Sequence, residues 1–291
     1  MFSKRKQKNN AWTWTFHQRE YSGLNILGAS IAGVHTCFII PDLKVSFDVG
    51  QGLPFALNMQ TFLISHGHMD HAAGIPYIIS QKALTSQKPG RFYMPEHMLE
   101  PMDHIMKSWQ RMEGHHYEYD FVGNKAETFY DINAIYGFKI FPTFHRIPSN
   151  GYTIFRKNKK LKKEFESLNR FELIELRKKG VELEEHITNP LISFTGDTKI
   201  EFLDGCSWLK KSQTLFLEVT YAEGNKTVQD ARDWGHIHID EVLPRLPDLE
   251  CEKIVLIHLS SRHRLKDVDD FLSRKLDREM RSRVDIFPVE S

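Results

Sequence analysis

The sequence predicts an α+β fold in which two stacked β-sheets are covered by helices. Short apolar runs rich in β-branched and aromatic residues occur in two groups, and helical patterns lie between them. Composition agrees, because 41% hydrophobic and 26% charged residues are typical of a globular chain with a sizeable core. No linker or internal repeat marks a boundary, so we expect one domain over residues 21–291.

The elements follow in order along the chain, with turn residues between them. The first group of strands is expected at Leu24–Leu27, Thr36–Ile40, Val45–Val49 and Thr61–Ile64. A helix at 72–84, a strand at Arg91–Met94 and a helix at Glu96–Met112 come next. The later strands are expected at Tyr136–Phe144, Tyr152–Phe155, Leu191–Thr195, Thr214–Val219 and Lys253–His258. Further helices are expected at Ile239–Leu246 and Asp267–Met280.

Two segments stand out by their charge. Residues 157–186 are dense in Lys, Arg and Glu, and we expect a solvated helix or an arm lying on the body. Their basic first part could bind phosphates, although a solvated helical face is the commoner explanation. Residues 1–20 begin with a basic run and are expected to form an extension, more often a solubilising terminus than a nucleic-acid arm.

Charge and cysteine content bear on the partners and the cellular location of the protein. The formal net charge of +1 neither favours nor excludes a nucleic-acid partner. Cys37, Cys206 and Cys251 form no C-x-x-C pair and no disulfide framework, which favours a cytoplasmic location. No apolar run is long enough for a membrane span or a secretory signal.

A dense cluster of metal-ligating residue types follows the predicted strand Thr61–Ile64. Within TFLISHGHMDHAAG stand His66, His68, Asp70 and His71. Imidazole and carboxylate are the ligands that zinc takes where water must keep a coordination place. A polar loop that happens to be rich in histidine is the alternative, but this density favours a metal site.

The H-x-H-x-D-H run resembles the metallo-β-lactamase superfamily, and this resemblance implies a four-layer αββα sandwich with a two-zinc site. Its remaining ligands should follow later strands, and His145, Asp197 and His258 each stand there. The resemblance implies one zinc held by His66, His68 and His145, a second held by Asp70, His71 and His258, and Asp197 bridging both. Manganese or iron could occupy the same ligands. Asp48 matches a position that orients a ligating histidine, although a turn residue explains it equally well.

Several strings resemble ribonuclease Z, the endonuclease that trims tRNA 3′ ends: HRIPSNGY, FTGDT, LEVT, DWGHIHIDEV and HLSSRH. In that family a water activated by the metals attacks a phosphodiester. The resemblance implies that His236 is the general acid, held by Glu218, and that Asp70 accepts a proton from the attacking water. His238 is the neighbouring alternative to His236. The hydroxyls and guanidinium expected to contact phosphate are Ser149, Ser260 and Arg262, although Arg262 could equally form a structural ion pair.

The chain departs from the ribonuclease Z pattern at Leu217, where the family has histidine, and at His263, where it has tyrosine. The segment 157–186 also lacks the Gly/Pro-rich arm with which the family grips tRNA. We therefore keep three hypotheses: a two-zinc phosphodiesterase acting on RNA such as precursor tRNA, a hydrolase of a small phosphodiester, thioester or lactone, and a non-catalytic nucleic-acid-binding subunit. The resemblance also implies a homodimer.

Overall fold

Two β-sheets of seven strands each form the centre of the computed structural model, which describes residues 17–125, 128–224 and 226–287. The first sheet contains β1 (His17–Tyr21), β2 (Leu24–Ile31), β3 (His35–Ile40), β4 (Val45–Phe47), β5 (Thr61–Leu63), β6 (Arg91–Met94) and β7 (Asp120–Gly123). The second contains β8 (Phe129–Asp131), β9 (Tyr136–Thr143), β10 (Ser149–Leu161), β11 (Glu184–Phe194), β12 (Thr214–Glu218), β13 (Lys253–Ile257) and β14 (Val284–Ile286). The α-helices of the described residues are α1 (Met69–Ala72), α2 (Ile75–Leu84), α3 (Leu99–Glu113), α4 (Arg170–Lys178), α5 (Phe202–Gly205), α6 (Val228–Trp234), α7 (Ile239–Val242), α8 (Leu265–Lys275) and α9 (Arg278–Arg283).

Each sheet is antiparallel in one half and parallel in the other. In the first sheet β1 to β4 pair antiparallel and β4 to β7 pair parallel. In the second sheet β8 to β11 pair antiparallel and β11 to β14 pair parallel. Parallel neighbours end at the same edge of a sheet, so residues that follow them come close together there.

The apolar side chains divide into three clusters that define four layers. Between the sheets, Phe47 stacks on Phe194 with ring centroids 5.0 Å apart, and Phe38 contacts Phe216 at 5.3 Å. A second cluster joins α2 and α3 to the first sheet. A third joins helices α5, α7 and α8 to the second sheet. This αββα order confirms the predicted sandwich.

The patterns in the sequence predicted the inner strands of both sheets but not the strands at their edges. Every predicted strand overlaps a strand of the structure, whereas β1, β7, β8 and β14 were not predicted. These four strands lie at the two edges of each sheet. Edge strands bury less apolar surface, so they lack the apolar runs that identify inner strands.

One predicted helix, Asp267–Met280, is two helices in the structure. After α8 ends, Asp277 accepts a hydrogen bond from the Met280 backbone N–H at 2.8 Å and thereby caps α9. Within the described ranges, no helix is long and apolar enough to cross a bilayer.

In the described residues, each of the two charged segments contributes strand residues to a sheet. Residues 157–186 form an arm in which β10 and β11 remain paired out to Leu161 and Glu184, with the mostly exposed α4 between them. Residues 1–16 of the expected extension lie outside the described residues. Residues 17–20 belong to β1 and pair with β2, so they are part of the first sheet.

Candidate metal centre

The predicted metal ligands follow strand ends in both sheets. His66 follows β5 and lies just before α1, while His145, Asp197 and His258 follow β9, β11 and β13. The parallel pairing of β11, β12 and β13 brings the loops after them to one edge. The structure brings together all seven predicted side chains, in overlapping groups whose ligand atoms lie within 4.8 Å of one another: His66, His68, Asp70, His71, His145, Asp197 and His258.

The first group contains three imidazoles and one carboxylate. His145 Nε2 lies 3.2 Å from His68 Nδ1. Asp197 Oδ2 lies 3.7 Å from His66 Nε2 and 3.9 Å from His145 Nε2. A tetrahedral zinc ion with bonds of about 2.1 Å holds its ligand atoms roughly 3.4 Å apart, so the spacing suits such an ion.

The second group uses the other oxygen of Asp197. His71 Nε2 and His258 Nε2 lie 3.3 Å from each other, and each lies 3.3 Å from Asp197 Oδ1. Asp70 Oδ2 lies 3.5 Å from both imidazole nitrogens. One carboxylate therefore faces two sets of donors, with one oxygen for each, which is the geometry of a bridging ligand.

Hydrogen bonds on the far side of the rings orient His66 and His71. Asp48 Oδ2 accepts from His71 Nδ1 at 2.7 Å and from Ser65 Oγ at 2.8 Å, and Asp48 Oδ1 accepts from the Ser65 backbone N–H at 2.7 Å. Because the Ser65 hydroxyl donates to Asp48, it accepts from His66 Nδ1 at 3.0 Å. Both imidazoles thus present Nε2 to the centre, where it is free to bind a metal.

Hydrogen bonds from Nδ1 likewise orient the two imidazoles that follow strands of the second sheet. His258 Nδ1 donates to Thr220 Oγ1 at 3.0 Å, and His145 Nδ1 donates to the Gly235 carbonyl at 2.8 Å. Sequence reasoning did not identify Ser65, Thr220 or Gly235 in this role. All three lie within strings quoted from the sequence, but Thr220 and Gly235 find their partners in distant parts of the chain.

Two buried polar atoms at the centre lack hydrogen-bond partners, namely His66 Nε2 and Asp197 Oδ1. An unsatisfied buried polar atom costs about 1–3 kcal/mol, unless a cation takes the place of the missing donor or acceptor partner. Burial holds the pKa of His66 well below its ordinary value, which favours the neutral, metal-binding imidazole. Burial opposes ionisation of Asp197, but the charges of His258 and His71 outweigh it and hold its pKa well below 3.8. These residues therefore fit a pair of divalent cations.

His236 lies at the edge of this centre and is paired with Glu218. Its Nδ1 donates to Glu218 Oε1 at 2.8 Å, and its ring lies 5.4 Å from that of His258. Burial lowers the pKa of His236, but the charge of Glu218 and the hydrogen bond to it raise the pKa to about 9. Glu218 Oε2 also accepts from the Thr220 backbone N–H and hydroxyl, so both carboxylate oxygens are engaged.

The alternative residue, His238, has a different role in the structure. It lies at the amino end of α7, where its Nδ1 accepts from the Asp240 backbone N–H at 3.2 Å. That contact caps the helix, and no described metal group includes the His238 side chain.

The three side chains predicted to contact phosphate lie in different environments. Ser149 is buried in β10, and its hydroxyl pairs with that of Thr143 at 2.5 Å, so the prediction that it contacts a phosphate is corrected. The Ser260 hydroxyl accepts from the Arg262 backbone N–H at 3.4 Å. Arg262 is exposed and lines a surface cavity of about 310 Å³ beside Glu223.

Leu217 and His263, the two residues that depart from the ribonuclease Z pattern, take part in packing and backbone hydrogen bonding. The Leu217 side chain is fully buried in the cluster between the second sheet and its helices. His263 Nε2 accepts from the Ala222 backbone N–H at 3.2 Å. Neither side chain belongs to a metal group among the described residues.

Comparison with known proteins identifies relatives of the chain and neighbours in fold. No protein-family model matches the chain. It is 33% identical over 256 residues to tRNase Z TRZ1 of Arabidopsis thaliana, which covers 87% of this chain and 91% of that protein. It is 27% identical over 251 residues to the chloroplastic tRNase Z TRZ2 of the same plant, covering 86% and 71%.

Solved structures share the fold. YhfI, a metallo-β-lactamase fold protein from Bacillus subtilis, superposes with a TM-score of 0.59 at 13% identity, covering 89% of this chain and 93% of that one. The short form of human tRNase Z superposes with a TM-score of 0.53 at 17% identity, covering 81% and 93%. With a curated relative aligned over nearly all of both chains, and with these neighbours in fold, the chain belongs to the tRNase Z family.

Proposed function

We propose that this chain is a metal-dependent endoribonuclease that cleaves a phosphodiester bond of precursor tRNA. The observation that carries the proposal is the Asp197 carboxylate, which faces a different group of imidazoles with each of its oxygens. Similarity to proteins named tRNase Z over most of the chain supports the substrate.

Two sets of side chains would hold one zinc ion each, with Asp197 reaching both. The sets are His66, His68 and His145, and Asp70, His71 and His258. When bound, a pair of such ions lowers the pKa of a water and neutralises charge that develops on the phosphodiester. The protein keeps the imidazoles oriented through Asp48, Ser65, Thr220 and the Gly235 carbonyl.

Two side chains would move protons. His236, protonated because of Glu218, would donate a proton to the leaving oxygen from the edge of the centre. Asp70, whose side chain is 13% exposed, would accept a proton from the attacking water. Ser260 and Arg262 remain candidates for phosphate contacts further from the centre.

The setting of the enzyme is also part of the proposal. Cys37, Cys206 and Cys251 are buried and form no disulfide within the described residues, which supports a cytoplasmic location. The exposed lysines at the start of the arm, Lys159, Lys160 and Lys163, would contact RNA phosphates. The family resemblance supports a homodimer, which size-exclusion chromatography with light scattering would test.

Cleavage of a precursor tRNA that carries a 3′ trailer tests the proposal. Purified protein supplied with zinc should release the trailer, and His66→Ala should lose both activity and metal. His236→Ala should retain metal and lose turnover. Hydrolysis of a thioester or lactone without RNA cleavage would support a small-molecule hydrolase instead. A protein that retains no metal and binds RNA without cleaving it would support a non-catalytic subunit.

A further inference from the structure

Arg146 and Trp234 form a stacked pair next to the metal groups. The Arg146 guanidinium carbon lies 4.8 Å from the centroid of the Trp234 ring. Arg146 directly follows His145, and Trp234 lies two residues before His236. The pair therefore joins the loop of His145 to the end of α6, just before the proposed proton donor His236.

The position of this pair is fixed by close packing at Gly235. Gly235 has a φ of +78°, and its carbonyl accepts from His145 Nδ1 at 2.8 Å. A Cβ atom at Gly235 would lie 2.8 Å from His145 Nδ1 and 3.0 Å from the Arg146 backbone nitrogen. The end of α6 thus packs directly against the loop of His145, and the stacked side chains are held beside the centre.

Both members of the pair are open to solvent. Trp234 is 53% exposed although Arg146 stacks on it, and the Arg146 side chain is exposed. Within the described residues Arg146 makes no ion pair with a carboxylate, unlike Arg245, which pairs with Asp204. An unpaired guanidinium suits a phosphate, and an open indole suits a nucleic-acid base.

Other exposed apolar side chains adjoin the same centre. Met69, which is 76% exposed, stands between His68 and Asp70, and Phe144, which is 48% exposed, precedes His145.

We propose that the Arg146–Trp234 pair binds an unpaired nucleotide of the RNA next to the scissile phosphate, with Trp234 stacking on the base and Arg146 contacting the adjoining phosphate. This inference rests on the proposed function and names residues that position its substrate. A pair that only clamps α6 to the loop of His145 is the competing explanation.

Kinetics with substrates that lack single bases test the inference. Precursor tRNAs would each carry one abasic nucleotide at a position flanking the cleavage site. Trp234→Leu should raise KM for intact RNA about 5- to 100-fold, with a smaller effect on kcat, because stacking contributes to binding. Trp234→Phe should keep most of the affinity, and Trp109→Leu, which removes an exposed tryptophan on α3, serves as the matched control.

The decisive result is that the effects of the abasic nucleotide and of Trp234→Leu do not add. At one position the abasic substrate should impair the wild-type enzyme as much as Trp234→Leu does, and should impair that variant no further. Equal abasic penalties in both proteins at every position would overturn the inference. So would a variant whose Tm falls and whose losses on RNA and on bis(p-nitrophenyl) phosphate are equal. If the wild-type enzyme cleaves no precursor tRNA, the proposed function fails, and this inference with it.

Discussion

His71 donates a hydrogen bond to Asp48 across 2.7 Å, and both side chains are fully buried. Asp48 has a φ of 50°, in the left-handed region that only a few residue types adopt readily. Such a conformation costs on the order of 1 kcal/mol, so its surroundings must hold it in place. The contact fixes which nitrogen of His71 faces the metal groups, and several predictions depend on it and on similar contacts.

Asp48→Asn should weaken metal binding without unfolding the protein. Asparagine tolerates the left-handed backbone, but its amide nitrogen cannot accept the hydrogen bonds that one of the two carboxylate oxygens accepts from Ser65 or His71. Loss of such a supporting contact typically lowers metal affinity by about 10- to 100-fold. Zinc titration with a competing chelator measures this change. Asp42→Asn, which alters an exposed carboxylate that accepts from the Asn25 backbone, should leave zinc affinity unchanged.

Glu218→Gln should shift the pH profile of RNA cleavage. A general acid acts in its protonated form, so wild-type activity should persist below the pKa of His236 and fall as pH rises through about 9. Removing the Glu218 charge lowers that pKa toward 6.5, and the alkaline limb should move to lower pH. The measurement is kcat against pH at saturating zinc. An unmoved alkaline limb would show that His236 does not set it.

Gly235→Ala should impair metal binding at the group that contains His145. Alanine costs about 1 kcal/mol at a positive φ, and its Cβ would also displace the His145 ring. Gly114→Ala provides the control, because Gly114 also has a positive φ but would bring no atom within 4 Å of the new Cβ. Both variants should lose similar stability from the backbone. Only Gly235→Ala should lose zinc, and equal zinc content in the two variants would contradict the prediction.

Leu217→His should destabilise the fold without restoring a family feature. Leu217 is fully buried and faces the helices, whereas Phe216 beside it faces the other sheet. Placing an imidazole there should lower the free energy of unfolding by roughly 2–4 kcal/mol, measured by urea denaturation. Zinc content of the folded protein should not change. A gain in zinc affinity would mean that position 217 faces the metal groups.

The sequence predicted the core of the site because its ligands are local or follow apolar strands. The density of histidines from His66 to His71 and the strand ends before His145, Asp197 and His258 are visible without a structure. Short apolar runs rich in β-branched and aromatic residues likewise identified the inner strands.

The supporting hydrogen bonds, the burial of Ser149 and the edge strands could not be predicted from the sequence, because they depend on tertiary packing. Thr220 supports His258 across 38 residues, and Gly235 supports His145 across 90. Ser149 was misread because a serine in a matched string carries no sign of which face of the strand it occupies. Its burial against Thr143 is a property of the β9–β10 pairing. The edge strands were missed for a similar reason, since pairing rather than composition defines them.

The metal content of the purified protein tests the central claim most directly. If Asp197 serves two metal groups, elemental analysis should find about two zinc ions per wild-type chain. Asp197→Ala, with the same fold by circular dichroism, should lose at least one of them and its RNA cleavage. A wild-type chain that binds one ion or none at saturating zinc, or an Asp197→Ala chain that keeps both with full activity, would contradict the claim.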